Sequence, residues 1–122
     1  VHGADGMDEI STTDITHVAA LSEGQVRTFQ ITPEDAGLPR SSLNELRGGD
    51  SNYNAAAIEA LIAGHTGPYR DIVLINAAAS LIVAGQAVDL KDGVSMAARS
   101  IDDGAAHNVL AKMIDVTNAS EL

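Results

Sequence analysis

At 122 residues and a formal charge of −10, from 17 acidic against 7 basic side chains, the chain has the length of one domain. That balance argues against nucleic acid or an anionic membrane as partner, since both demand Lys/Arg-rich faces. The apolar content of 45% is aliphatic, with one Phe, two Tyr and no Trp, and the absence of cysteine excludes disulfides, thiolate nucleophiles and Cys-ligated zinc, leaving oxygen and imidazole as metal donors.

In chain order, residues 1–14 read as a strand end and a loop, because Gly3, Asp5 and Gly6 do not support a helix. Residues 16–21 and 26–32 are β-branched and apolar on either side of "SEGQ", which predicts an antiparallel hairpin closed by a four-residue loop. "TPEDAGLP" predicts a short helical turn: Thr32 caps, Pro33 suits the first helical position, Glu34 and Asp35 favour the positive end of the helix dipole, and Gly37 stops it. After the bend at "RGGD", three or four helices are expected. The first covers about residues 52–63, with Gly64 and Gly67-Pro68 closing it. The second covers about 69–84, apolar nearly all round except at Asn76 and Ser80, and should be buried on most sides. The third begins after the cap Asp89 and repeats apolar residues at Leu90, Val94, Ala97, Ala98 and Ile101. The fourth carries Ala106, Val109, Leu110, Met113 and Ile114, and the tail from Val116 is expected to fray.

No basic leader with an apolar stretch begins the chain. The longest apolar-rich run, 72–84, falls short of the ~20 residues of a membrane span. The expectation is a soluble, cytoplasmic chain. Its start at Val1 without a leader suggests a piece cut from a larger fold.

The chemistry concentrates in "VHGADGMDEIS". Adjacent carboxylates normally point apart, but a glycine-flanked loop can turn Asp8 and Glu9 toward one site. Magnesium takes oxygen ligands, keeps several waters and is typically held by one or two carboxylates plus substrate phosphates, so the pair supplies the minimum. On local grounds alone, solvated loop acids remain the simpler reading. "RGGD" lacks the Lys and Ser/Thr of a P-loop, and "ADG" lacks the three glycines of a dinucleotide fingerprint. His2, His17, His65 and His107 match no helical ligand spacing, and no Ser/His/Asp set has local support. Asn76 inside an apolar helix needs a partner, since an unpaired buried polar group costs about 1–3 kcal/mol, and a hydrogen bond to a neighbouring segment is expected. The small face of Ala77, Ala78 and Ala79 permits another element to approach closely.

Taken in order, "VHGADGMDEIS", "THVAAL" with "QVRTFQITPEDAGLPR", "LRGGD" with Asn54, and "DIVLINAAASLIVAG" resemble the C-terminal part of the anthranilate phosphoribosyltransferase family, over residues 1–110. The resemblance implies transfer of a phosphoribosyl group from phosphoribosyl pyrophosphate to anthranilate, with release of pyrophosphate, in tryptophan biosynthesis. It implies an α/β fold of the nucleoside phosphorylase/phosphoribosyltransferase type, with a mixed, mostly parallel sheet and a separate helical subdomain. Residues 1–122 would form the C-terminal part of the α/β domain, here a short strand, a hairpin and three to four packed helices. By motif match Asp8 and Glu9 are the ligands of Mg2+ on the pyrophosphate. No catalytic or other cofactor-binding residue is carried over.

The family's glycine-rich phosphate loop, its remaining metal-contacting hydroxyl, its anthranilate-binding residues and its N-terminal helical domain precede this segment. The 122 residues alone are therefore expected to be inactive, and to form a homo-oligomer or associate through exposed apolar surface. Tyr53 departs from the acidic residue usual before the asparagine, at a position that is not a metal ligand by the match. Two other readings remain: a relative resembling pyrimidine nucleoside phosphorylase, which would have no need of the Asp-Glu pair, and a non-catalytic acidic cation-binding or interaction domain.

Overall fold

The computed structural model describes residues 1–119. The chain begins with a short strand β1 (His2–Gly3) and a loop, followed by strands β2 (Thr16–Ser22) and β3 (Gln25–Ile31). These form a three-stranded antiparallel sheet in the order β1-β2-β3. The parallel strands implied by the resemblance are not among the described residues. Ser22 pairs with Gln25, so the hairpin loop is two residues, not the four expected. Glu23 and Gly24 both take positive φ, 51° and 76°, the conformation whose twist matches the flanking strands and lets pairing continue to the turn.

Pro33–Ala36 is the expected short turn, of 3-10 type, with Asp35 accepting from the Thr32 backbone at 2.7 Å and Gly37 ending it at φ 75°. A second such turn, Leu43–Leu46, was not foreseen; Glu45 accepts from both the backbone and the hydroxyl of Ser42, at 2.8 Å each.

Four helices follow: α1 (Ser51–Ile62), α2 (Pro68–Val83), α3 (Leu90–Asp102) and α4 (Ala105–Asn118). Asp50 caps α1 by accepting from Tyr53 N, and Asp89 caps α3 by accepting from Asp92 N at 2.8 Å, as its sequence position predicts. Pro68 was expected to close the first helix but opens the second, where its fixed φ suits the first turn and its missing N–H is no loss. Helix α4 runs to Asn118, beyond the expected fraying point, with the Asn118 side chain donating to Ile114 O. The remainder of the expected frayed tail lies outside the described residues.

Two apolar clusters meet on α2. Leu61, Leu74, Ala97 and Ile101 tie α1, α2 and α3 together, with Val73, Ala77 and Ala98 around them. Ile10, Ala36 and Ile75 form the second cluster, with Ile31, Leu90 and Val94 against it, so that α2 also carries the loop between β1 and β2. The predicted α3 stripe is therefore the face that packs. The α4 stripe packs at its start, where Ala106 lies against the first cluster, but none of its residues is fully buried, and Val109, Met113 and Ile114 stand in solvent.

Candidate metal centre

Asp8 and Glu9 lie on the loop joining β1 to β2, both exposed. Neither carboxylate accepts a hydrogen bond from the described residues, which leaves their oxygens available to an external group. What surrounds them is, by contrast, fully engaged. Gly3 N donates to Met7 O, and Met7 N donates to Asp5 Oδ1, at 2.9 and 3.0 Å. The Asp5 carboxylate also accepts from the hydroxyls of Ser11 and Thr13. A Cβ at Gly3 would run into the Asp5 carboxylate and stand 3.3 Å from Met7 Cβ, so this turn closes only around a glycine.

On the far side, Ile10 N donates to Asn76 Oδ1, and Asn76 Nδ2 donates back to Ile10 O, each at 2.9 Å. Asn76, half-buried on α2, thus has the neighbouring-segment partner expected of it. Ile10 itself is 2% exposed, held against Ile75. Further along, Ser11 N donates to Thr16 Oγ1, Thr12 Oγ1 lies 2.7 Å from Ser41 Oγ, and Ser41 N donates to Thr12 O. Ser11, Thr12 and Thr16 are fully buried. The hydroxyl run Ser11-Thr12-Thr13 was not foreseen as the part that fixes this loop. The signal that could have found it is the density of short hydroxyl side chains beside Asp5, which favours local side-chain to backbone bonding.

The electrostatics separate the carboxylates. Burial works against the Asp5 charge, but the hydroxyls of Ser11 and Thr13 and the amide of Met7 outweigh it and hold its pKa below the ordinary 3.8. Glu9, though exposed as a residue, is pushed above its ordinary 4.5 by partial desolvation of its carboxyl and by the charges of Asp8 and Asp5. A site that resists its own negative charge gains most from a cation. The donors are hard oxygens without imidazole or thiolate, the chemistry Mg2+ selects. His2 and His17 sit opposite each other across β1 and β2, but no group of three or more His, Cys, Asp or Glu able to hold a metal occurs among the described residues. Asp8 and Glu9 therefore stand as two hard-oxygen donors that no described residue engages.

With this geometry in view, residues 1–107 match the profile of the glycosyl transferase family, a/b domain. The chain belongs to that family. Within it, the chain is 54% identical over 122 residues to an anthranilate phosphoribosyltransferase of Methylocella silvestris, covering 100% of this chain and 35% of that one. It is 57% identical over 118 residues to the corresponding enzyme of Parvibaculum lavamentivorans, covering 97% and 35%. Among solved structures, the Saccharomyces cerevisiae anthranilate phosphoribosyltransferase in complex with PRPP and Mg superposes with a TM-score of 0.85 at 29% identity, over 93% of this chain and 33% of that one. The Thermus thermophilus enzyme does so with a TM-score of 0.76 at 32% identity, over 89% and 32%. This glycosyl transferase family chain thus spans about 35% of the length of the curated relatives it matches. Its fold is that of the matching segment in solved anthranilate phosphoribosyltransferases.

Proposed function

We propose that residues 1–122 are the C-terminal part of the α/β domain of an anthranilate phosphoribosyltransferase. The complete protein would transfer the phosphoribosyl group of phosphoribosyl pyrophosphate to anthranilate, in the cytoplasmic synthesis of tryptophan. Support comes from identity above half along nearly the whole chain to relatives of that name, and from the fold shared with a relative bound to PRPP and Mg. No described helix is long and apolar enough to cross a membrane, in keeping with an enzyme acting on small polar metabolites.

The role of the segment is to present Asp8 and Glu9 to Mg2+ on the diphosphate of the donor. The observation that carries this is the contrast within one loop: Asp5 is consumed by Ser11, Thr13 and Met7, whereas Asp8 and Glu9 project from backbone fixed on both sides and accept no bond from the described residues. Bound there, the cation supplies positive charge against a diphosphate leaving group. Asp8 and Glu9 would hold and orient that cation, and they carry no proton in the transfer. The alternative as a nucleoside phosphorylase gives the pair no such task. The exposed apolar face of α4 is then a surface for the remainder of the protein or a second copy, and the chain by itself provides one wall of the site.

The test is steady-state kinetics of the complete enzyme with Asp8→Ala and Glu9→Ala over a magnesium titration. The expected result is a raised magnesium requirement and slowed turnover, with circular dichroism unchanged. Wild-type magnesium dependence in both variants overturns the assignment.

A further inference from the structure

We propose that Asn76 is a positioning residue for the metal pair: its side chain on α2 clasps both backbone polar groups of Ile10 and so fixes where Asp8 and Glu9 stand. The inference rests on the reading of those carboxylates as Mg2+ ligands.

The amide of Asn76 reaches a residue 66 positions away and satisfies its N–H and its C=O, both at 2.9 Å. Its Nδ2 also donates to Ile72 O one turn earlier on α2, at 2.9 Å, which locks the amide plane and leaves one orientation that serves all three bonds. The Ile10 side chain is 2% exposed against Ile75, the neighbour of Asn76, so main chain and side chain are seated on the same helix. Met7 makes the matching attachment before the pair, with its N–H on Asp5 and its C=O on Gly3.

Between these attachments only Asp8 and Glu9 make no backbone hydrogen bond among the described residues, and they are held between two residues whose backbone groups are both satisfied. A loop fixed only at Met7 would leave Glu9 to swing about one end. Asn76 converts it into a bridge between the sheet side and the helical layer. Outer contacts that orient metal ligands influence affinity even though they never touch the ion.

Two measurements on the complete enzyme test this. The first is hydrogen exchange at the Ile10 amide in metal-free protein, where wild type should exchange slowly and Asn76→Ala at least about tenfold faster. The second is the affinity for Mn2+ in the presence of inorganic pyrophosphate, read by the paramagnetic signal of free Mn2+ rather than by turnover. Asn76→Ala should weaken it by about 10-fold or more, the range expected for loss of a ligand-orienting contact. Asn76→Gln keeps one acceptor and the donors on a stem one methylene longer; it should fall between the two, and it serves where Asn76→Ala does not fold.

Fast exchange at Ile10 in wild type overturns the clasp. Wild-type Mn2+ affinity in the Asn76 variants, with weakened affinity in Asp8→Ala, overturns the positioning role alone and leaves the metal assignment standing. Unchanged affinity in Asp8→Ala and Glu9→Ala overturns both.

Discussion

Gly93 on α3 lies directly against Ala78 on α2, so closely that a Cβ at position 93 would stand 2.7 Å from both Cα and Cβ of Ala78 and 2.9 Å from its carbonyl oxygen. All three atoms are main chain or bound rigidly to it, and Ala78 is 0% exposed. Gly93→Ala gains about 1 kcal/mol of intrinsic helix propensity, whereas forcing a methyl into a packed interface costs about 1–3 kcal/mol. Because neither helix can yield by rotating a side chain, the clash should win. The expected outcome is a lower melting temperature by thermal denaturation, and a variant that melts at or above wild type would show that the two helices separate easily.

The Arg70–Asp102 pair joins α2 to the end of α3. Arg70 is 8% exposed, and its Nη2 donates to both carboxylate oxygens of Asp102 at 2.8 and 2.9 Å. Its Nη1 is buried without a partner among the described residues. Asp102 is half exposed, so water screens part of the attraction. Asp102→Ala strands a buried guanidinium and should destabilise by about 1–3 kcal/mol. Arg70→Met removes the buried charge with the pair and should be less harmful than Asp102→Ala. Equal losses in chemical denaturation would mean that the buried charge is not the source of the penalty.

Asp5 and Glu9 predict opposite pH responses. The folded pKa of Asp5 is depressed below 3.8, so its contribution to stability is fully present above that value and is lost as pH falls through the lower folded value. Asp5→Asn should flatten the acid side of the stability profile below pH ~4. The folded pKa of Glu9 is raised above 4.5, so ionising it opposes folding, an effect fully present once pH exceeds the raised value. In metal-free protein at neutral pH, Glu9→Gln should therefore melt no lower than wild type and somewhat higher. Wild type should gain about 2.7 kcal/mol from Mg2+ with pyrophosphate at 100-fold over Kd, and Glu9→Gln should lose most of that gain. Calorimetric scans with and without ligand read both effects; a Glu9→Gln protein less stable than wild type in the absence of metal would contradict the repulsion between Glu9 and its acidic neighbours.

The parts of this architecture that were legible in the sequence are those set by local chemistry. The Asp89 cap, the Thr32-Pro33 turn and the α3 stripe each depend on residues within a few positions of one another. The misreadings also have local causes. Glu23 shares the left-handed conformation with Gly24, which shortened the expected loop, and Pro68 can end one helix or start the next with the same ring. Asn76 was readable as needing a partner but not as needing Ile10, because that bond spans 66 residues and depends on how α2 packs. For the same reason, nothing in the order "DGMDEIS" separates the acid consumed by the loop, Asp5, from the two left facing outward.

Helix α4 supplies the last test. Val109, Met113 and Val116 recur at helical spacing and are 69, 55 and 66% exposed, so this stripe has no partner within the described residues. Leu21 and Val26 on the hairpin are equally bare. Apolar groups gathered on one face drive association in water, and the chain's −10 charge opposes it at low ionic strength. The 122-residue polypeptide should therefore scatter light as more than a monomer, bind an apolar dye, and associate more strongly as salt screens its charge. Replacing Val109, Met113 and Val116 together by Gln should reduce both signals. Each such exposed change should shift folding stability by no more than about 0.5 kcal/mol. A monomer at all salt concentrations that binds no dye would show that the α4 face is not an interaction surface.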